Sequence, residues 1–165
     1  MEAVTVDTNI LPIDDLQAIA ESSGYALQII SVTYRELAIT DLLEQASSLP
    51  RVPESAMFGE SFWGAHFGGV EDAEIFEDVL RIISSGSFPP PEKRENLTPP
   101  QVNQLRDALI LQAHIRTGNK VFVTGDAKAY VNHGRRSIFE DKYGVTIFSR
   151  VEFKDHCLTK GSLAH

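Results

Sequence analysis

Four carboxylates, Asp7, Glu36, Asp107 and Asp126, stand at positions where carboxylates could do chemistry. Asp7 closes the run Ala-Val-Thr-Val-Asp-Thr-Asn, Glu36 lies in Val-Thr-Tyr-Arg-Glu-Leu, Asp107 in Leu-Arg-Asp-Ala-Leu-Ile-Leu, and Asp126 in Val-Phe-Val-Thr-Gly-Asp. Hard divalent cations prefer carboxylate oxygen, so a fold that gathers these four would build a magnesium or manganese site of one or two ions. Singly, three of them have ordinary readings. Thr33 precedes Glu36 by a capping-box spacing, Asp126 has the type of an N-cap for a following helix, and Asp7 could serve its own turn in the same way. Asp107 is harder to explain structurally. It is the only acid between Val102 and Ile115, in a largely apolar segment where an unpaired buried charge costs several kcal/mol. It either lies on an exposed edge beside Arg106 or needs a cation.

The elements that must position these acids alternate between strand and helix. Short apolar runs at Ala3 to Val6, Ala26 to Val32, Lys120 to Thr124 and Val145 to Phe148 read as buried strands. Helices are expected from about Ile13 to Ser22, from Thr33 to about Ser47, from about Glu71 to Ser84, from Pro99 to about Thr117, over most of Ala127 to Tyr143, and from Val151 onward. Thr98, Pro99 and Gln101 give the helix that carries Asp107 a cap, a first-position proline and a capping-box partner. Residues 49–98 break the pattern and read as an insertion. It holds Phe58, Phe62, Trp63 and Phe67, followed by a helix and then a proline-rich loop expected to be mobile. Strand-helix alternation implies a mainly parallel sheet covered on both faces, with ligands at the carboxyl ends of strands near a switch in strand order. Asp7 and Asp126 fall at such ends.

The 165 residues suit one domain. An apolar fraction of 42% and a charged fraction of 23% are those of an ordinary globular protein. No apolar run approaches the roughly 20 residues of a membrane span, and the amino terminus lacks the basic and apolar regions of a signal peptide. The single cysteine, Cys157, cannot form an internal disulfide, so a reducing cytoplasm is expected. A net charge of −8 argues mildly against nucleic acid, unless bound cations reverse the local field.

Together the four segments resemble the PIN-domain nuclease family, whose pattern has a Val-Asp-Thr-Asn opening, a Glu after the second strand, an Asp in an Asp-Ala-Leu-Ile helix and an Asp at a Val-Thr-Gly-Asp strand end. The resemblance implies a PIN-like three-layer α/β/α domain around a mainly parallel sheet. It also implies a Mg²⁺- or Mn²⁺-dependent endoribonuclease acting on single-stranded RNA. Asp7, Asp107 and Asp126 would hold the principal ion, with Glu36 binding a second ion or orienting the attacking water. Asn9 and Thr124 would support the acids. Many small proteins of this kind are toxins of toxin-antitoxin pairs, so an antitoxin partner and a homodimer are further expectations, although the long gap between Glu36 and Asp107 departs from compact toxins.

Arg35, Lys128, Arg135 and Arg136 are candidate phosphate contacts, each also readable as part of a solvated helix face. Trp63 and Phe67 could stack on bases or anchor the insertion. His66 and His114 are not spaced as metal ligands. Two other readings stay open. A PIN-like module could bind RNA or protein without cutting, though such modules commonly lose acids and all four are present here. A haloacid dehalogenase-like phosphatase also opens on an Asp after the first strand, but this chain has Asn9 where that family has a second Asp and Tyr130 where a further Asp would follow Gly125-Asp126.

Overall fold

A computed structural model describes residues 1–37, 40–53 and 69–162, with the Tyr34 and Arg35 side chains left out. Its strands are β1 (Glu2–Val6), β2 (Tyr25–Ile30), β3 (Arg51–Val52), β4 (Val121–Val123) and β5 (Thr146–Phe148). All pair in parallel, in the order β3-β2-β1-β4-β5. Val6 lies opposite Val123 and Val4 opposite Leu27, so β1 is the central strand. The chain leaves β1 in one direction toward β2 and β3, and later returns on its other side with β4 and β5. The switch in strand order therefore falls between β1 and β4, at the ends that carry Asp7 and Asp126.

The helices are α1 (Asp14–Ser22), α2 (Ser31–Glu36), α3 (Leu43–Ser48), α4 (Val70–Ile83), α5 (Pro99–Thr117), α6 (Ala127–Tyr130), α7 (Arg135–Tyr143) and α8 (Arg150–Ser162). Two buried clusters show how they cover the sheet. One joins Ile30, Phe122 and Ile147 to α4, α5, α6 and α7 through Phe76, Leu80, Leu109, Tyr130 and Phe139. The other joins Val4, Val6, Ile29 and Val123 to α1, α3 and α8 through Leu16, Ala46 and Phe153. Adjacent strand residues point to opposite faces, so Phe122 enters one cluster while Val121 and Val123 enter the other. This α/β architecture has helices on both faces of a parallel sheet.

Helix α5 is capped as its sequence predicts: the Thr98 backbone N–H donates to Gln101 Oε1 at 2.9 Å. It ends at Gly118, whose φ of 73° suits a residue without Cβ. Its middle, from Leu105 to His114, is buried nearly all round between the sheet and α4.

Several expectations change. Helix α2 begins at Ser31, where a strand was expected to continue to Val32, so the buried Thr33 lies inside it and its Oγ1 has no partner. Thr33 and Glu36 thus do not form a capping box. The strand β3 was not anticipated, because two residues beside Pro50 and Pro53 carry no periodicity. The segment read as an insertion, 49–98, contains β3 as well as α4, which lies where a helix from about Glu71 to Ser84 was expected. Phe58, Phe62, Trp63, His66 and Phe67 lie outside the described residues. The proline-rich loop is tied down: Arg94 grips Glu77 with two bonds of 2.6 and 2.7 Å and donates to the Pro89 carbonyl at 2.9 Å. The helix expected over 127–143 breaks at His133 and Gly134, both at positive φ. Among the described residues, no helix is long and apolar enough to cross a membrane.

Candidate functional site

At the end of β1 the chain turns through a short 3-10 segment, Thr8–Ile10, directed by Asp7. Asp7 is 4% exposed, yet both carboxylate oxygens are occupied. Oδ1 accepts the Thr8 N–H at 2.7 Å, and Oδ2 accepts the Thr124 hydroxyl at 2.8 Å and the Asn9 side-chain N–H at 3.2 Å. Thr124 continues from β4 and its Oγ1 also accepts the Asp126 N–H at 3.0 Å. Asn9 closes the loop, its Oδ1 accepting the Gly125 N–H at 2.6 Å. A Cβ on Gly125 would stand 3.1 Å from that Asn9 oxygen, which is why a residue without a side chain serves there. One network of short bonds thus binds the ends of β1 and β4 together.

Asp126 is also the N-cap of α6, accepting the Ala129 N–H on Oδ1 at 2.8 Å. Its ordinary reading is therefore realised, and the cap fixes one carboxylate oxygen while it faces the other acids. Glu36 sits at the end of α2 with Oε2 accepting the Thr8 hydroxyl. Asp107 differs from the other three: it is half-buried on α5 and, among the described residues, its carboxylate has no hydrogen bond or ion pair. Arg106 does not provide its charge partner. What holds Asp107 in place is backbone, because the Tyr130 hydroxyl donates to the Asp107 carbonyl at 2.9 Å. Tyr130 is fully buried and packs edge-on to Phe122, with centroids 5.1 Å apart.

The four acids feel one another. Burial raises the Asp107 carboxyl from 3.8 to about 8, with Asp7, Asp126 and Glu36 adding repulsion. Burial likewise raises Asp7 to about 6; the Thr124 and Thr8 bonds oppose it, and Glu36 and Asp126 reinforce it. The Tyr130 hydroxyl is pushed well above its ordinary value by burial and then by the same four acids, Asp107 foremost. Carboxylates from β1, α2, α5 and the β4 end therefore share one field. Among the described residues, no three His, Cys, Asp or Glu side chains stand together as a ready-made coordination shell. Repulsion among the four acids raises Asp7 and Asp107, the four offer only oxygen donors, and among the described residues the Asp107 carboxylate has no partner. That donor set suits a hard divalent cation, and Mg²⁺ keeps several waters between itself and its protein ligands.

No protein-family model matches the chain, and no curated protein does. The site stands on its own geometry.

The basic candidates separate sharply. Arg135 is buried, and its guanidinium donates to the Ile82 carbonyl at 3.1 Å, to Ser85 Oγ at 2.9 Å and to the Lys128 carbonyl. It braces α6 and α7 against α4, with each of its three nitrogens bonded into the protein. Arg136 is paired with Glu152 at 2.9 and 3.1 Å. Both were expected as phosphate contacts, and each is bonded within the protein. Lys128 is exposed and lines a cleft with Asp107 and Asp126. The Arg35 side chain lies outside the described residues. His114 is fully buried, with Nδ1 2.8 Å from Thr5 Oγ1 and its pKa lowered to about 4 by burial.

Thr8 and Tyr130 had not been assigned to the site. Thr8 lies 28 residues from Glu36, and no local pattern links them. Tyr130 lies four residues after Asp126, but its ring packs in the core and only its hydroxyl reaches the Asp107 carbonyl.

Proposed function

We propose that this chain is a PIN-like, metal-dependent endoribonuclease that hydrolyses phosphodiester bonds of single-stranded RNA. One observation carries the reading: four carboxylates from four separate segments share a field at the switch in strand order, and the one on α5 has no partner of its own. The ordered motifs around Asp7, Glu36, Asp107 and Asp126 support the same assignment. The phosphatase alternative loses ground because Asn9, bonded to Asp7 and Gly125, offers no general acid two residues beyond Asp7.

Asp7, Asp107 and Asp126 would hold a Mg²⁺ or Mn²⁺ ion, and Glu36 would bind a second or orient water. When bound, such an ion neutralises charge on the phosphate oxygens and lowers the pKa of water. The chain's own residues set the stage. Thr124 and Asn9 fix the Asp7 carboxylate, Tyr130 fixes the backbone under Asp107, and α6 fixes one oxygen of Asp126. With Oε2 of Glu36 on Thr8, its Oε1 is left to align the attacking water and accept its proton. A toxin role, with an antitoxin partner and a homodimer, belongs to the same proposal.

The test is cleavage of labelled single-stranded RNA in Mg²⁺, Mn²⁺ or EDTA, by the wild-type chain and by Asp7→Asn and Asp126→Asn. Cleavage that needs metal and is lost in both variants is expected. Equal cleavage by all three proteins would overturn the mechanism.

A further inference from the structure

Beside the acids, α5, α6 and the end of α4 enclose a cleft of about 370 Å³, within the size range of small-ligand sites. Asp107 and Asp126 lie along it, together with Asn103, Gln104, Lys128 and Pro100. Its polar groups divide into two kinds. Arg135 and Ser84 also border it, but their side chains are bonded into the protein. Asn103, Gln104 and Lys128 make no side-chain hydrogen bond or ion pair among the described residues. Asn103 and Gln104 precede Asp107 by four and three residues on α5, which puts all three on one helix face.

We propose that this cleft holds one unpaired nucleotide of an RNA strand next to the bond that is cut, with Asn103 and Gln104 facing its base and Lys128 its phosphate. The assignment rests on the nuclease reading of the neighbouring acids. Charge divides the roles. Without bound metal, a phosphate beside Asp107 and Asp126 is repelled unless a cation offsets them, and the exposed ammonium of Lys128 in the same lining supplies one. A base is neutral, and each amide side chain offers both donors and an acceptor to its edge. Single-stranded RNA exposes that edge, which a duplex conceals. Pro100 adds apolar surface against which a base can lie.

Two measurements test this. The first is fluorescence anisotropy of labelled single-stranded RNA in EDTA, where binding is read without cleavage, across a salt series. The second is sequencing of the cut ends of a randomised RNA in Mn²⁺. Lys128→Gln should weaken binding roughly fivefold to tenfold on every sequence and flatten the salt slope by about one phosphate contact. The double variant Asn103→Ala, Gln104→Ala should keep the wild-type salt slope and relax base preference at one position beside the cut. Equal melting temperatures would establish that both variants are folded. If the wild-type chain cuts RNA and both variants bind and cut as it does, the cleft assignment falls and the nuclease reading survives. If the wild-type chain does not cut but Lys128→Gln still weakens binding as described, the nuclease reading falls and the binding site survives. Absence of both binding and cutting in the wild-type chain would overturn both.

Discussion

Asp78 on α4 and Asp107 on α5 are both partly buried aspartates on helices that pack against each other, and they are handled in opposite ways. Asp78 is gripped by Arg81 at 2.6 Å, by Lys142 at 2.7 Å and by the Tyr143 hydroxyl. Burial alone would raise its carboxyl, but Lys142, Tyr143 and Arg81 hold it down at about 2. Burial raises Asp107 to about 8, and repulsion from Asp7, Asp126 and Glu36 adds to the rise. A chain that can supply three partners for one aspartate has left the other with none. Charge satisfied within the protein suits a structural acid, and the proposed metal would supply Asp107 with the partner that Asp78 finds in the chain.

Replacing each by asparagine should separate them most widely. Asp107→Asn is expected to lower metal-dependent RNA cleavage by at least ~10²-fold while leaving the metal-free chain as stable as wild type or more so at pH 8, because a buried repelling charge is gone. Asp78→Asn should do the reverse. It weakens three charge-assisted contacts and costs about 1–2 kcal/mol, less at high salt because the site is partly exposed, seen as a melting temperature several degrees lower with cleavage retained. Stability losses of the same size in both variants would erase the distinction.

The same contrast should be visible against pH. Asp107 and Asp7 are raised from 3.8 to about 8 and about 6, so the folded chain binds more protons than the unfolded one between those limits. Their contribution to stability is present below pH 4 and is lost as pH rises toward 8. Asp78 is lowered, so its contribution is present above pH 4 and is lost as pH falls toward 2. The metal-free melting temperature should therefore fall as pH climbs from about 5 to about 8, and Mn²⁺ should flatten that fall. A melting temperature that rises over this window with Asp107→Asn unchanged from wild type would contradict the shared field.

A smaller effect is expected where Asp107 is held only by its backbone. Tyr130→Phe removes one hydroxyl and leaves the ring packed on Phe122, costing about 1 kcal/mol. Freed from that anchor, α5 would position Asp107 less well, and Mn²⁺ affinity measured by calorimetry should fall roughly tenfold. An unchanged affinity in a variant of lower melting temperature would make Tyr130 a core residue and nothing more.

What the sequence could and could not reveal follows from the range of each interaction. Strand-helix alternation and the caps at Thr98 and Gly118 depend on neighbours within a turn, and they placed β1, α1, α5, β4 and α8 nearly where they lie. The four acids stand out in the sequence because their neighbours form recognisable runs, and their joint role belongs to the proposal. Thr33 misled because a capping spacing describes only where a cap could be, and the chain enters α2 two residues earlier. Arg135 was singled out because it lies in the helix after Asp126, but its side chain turns inward, toward carbonyls of α4 and α6 that no sequence pattern announces. The bond from Thr8 to Glu36 and the one from Tyr130 to Asp107 join residues far apart in the chain, and only the closed sheet brings them together.

Arg136 supplies the mildest test of the same division between satisfied and open charge. Its two bonds to Glu152 tie α7 to α8 near the surface, with the Arg136 side chain 29% and the Glu152 side chain 44% exposed. Water and salt screen a pair of that kind, so Arg136→Ala should cost no more than about 1 kcal/mol and shift the melting temperature only slightly. It should also leave RNA binding in EDTA and its salt slope at wild-type values, because both terminal nitrogens of the guanidinium already hold a carboxylate. Glu152→Gln extends the test by releasing Arg136 without removing it. If RNA binding tightens in that variant and weakens in Arg136→Ala, the pairing is masking a phosphate contact, and Arg136 belongs with Lys128 among the open charges.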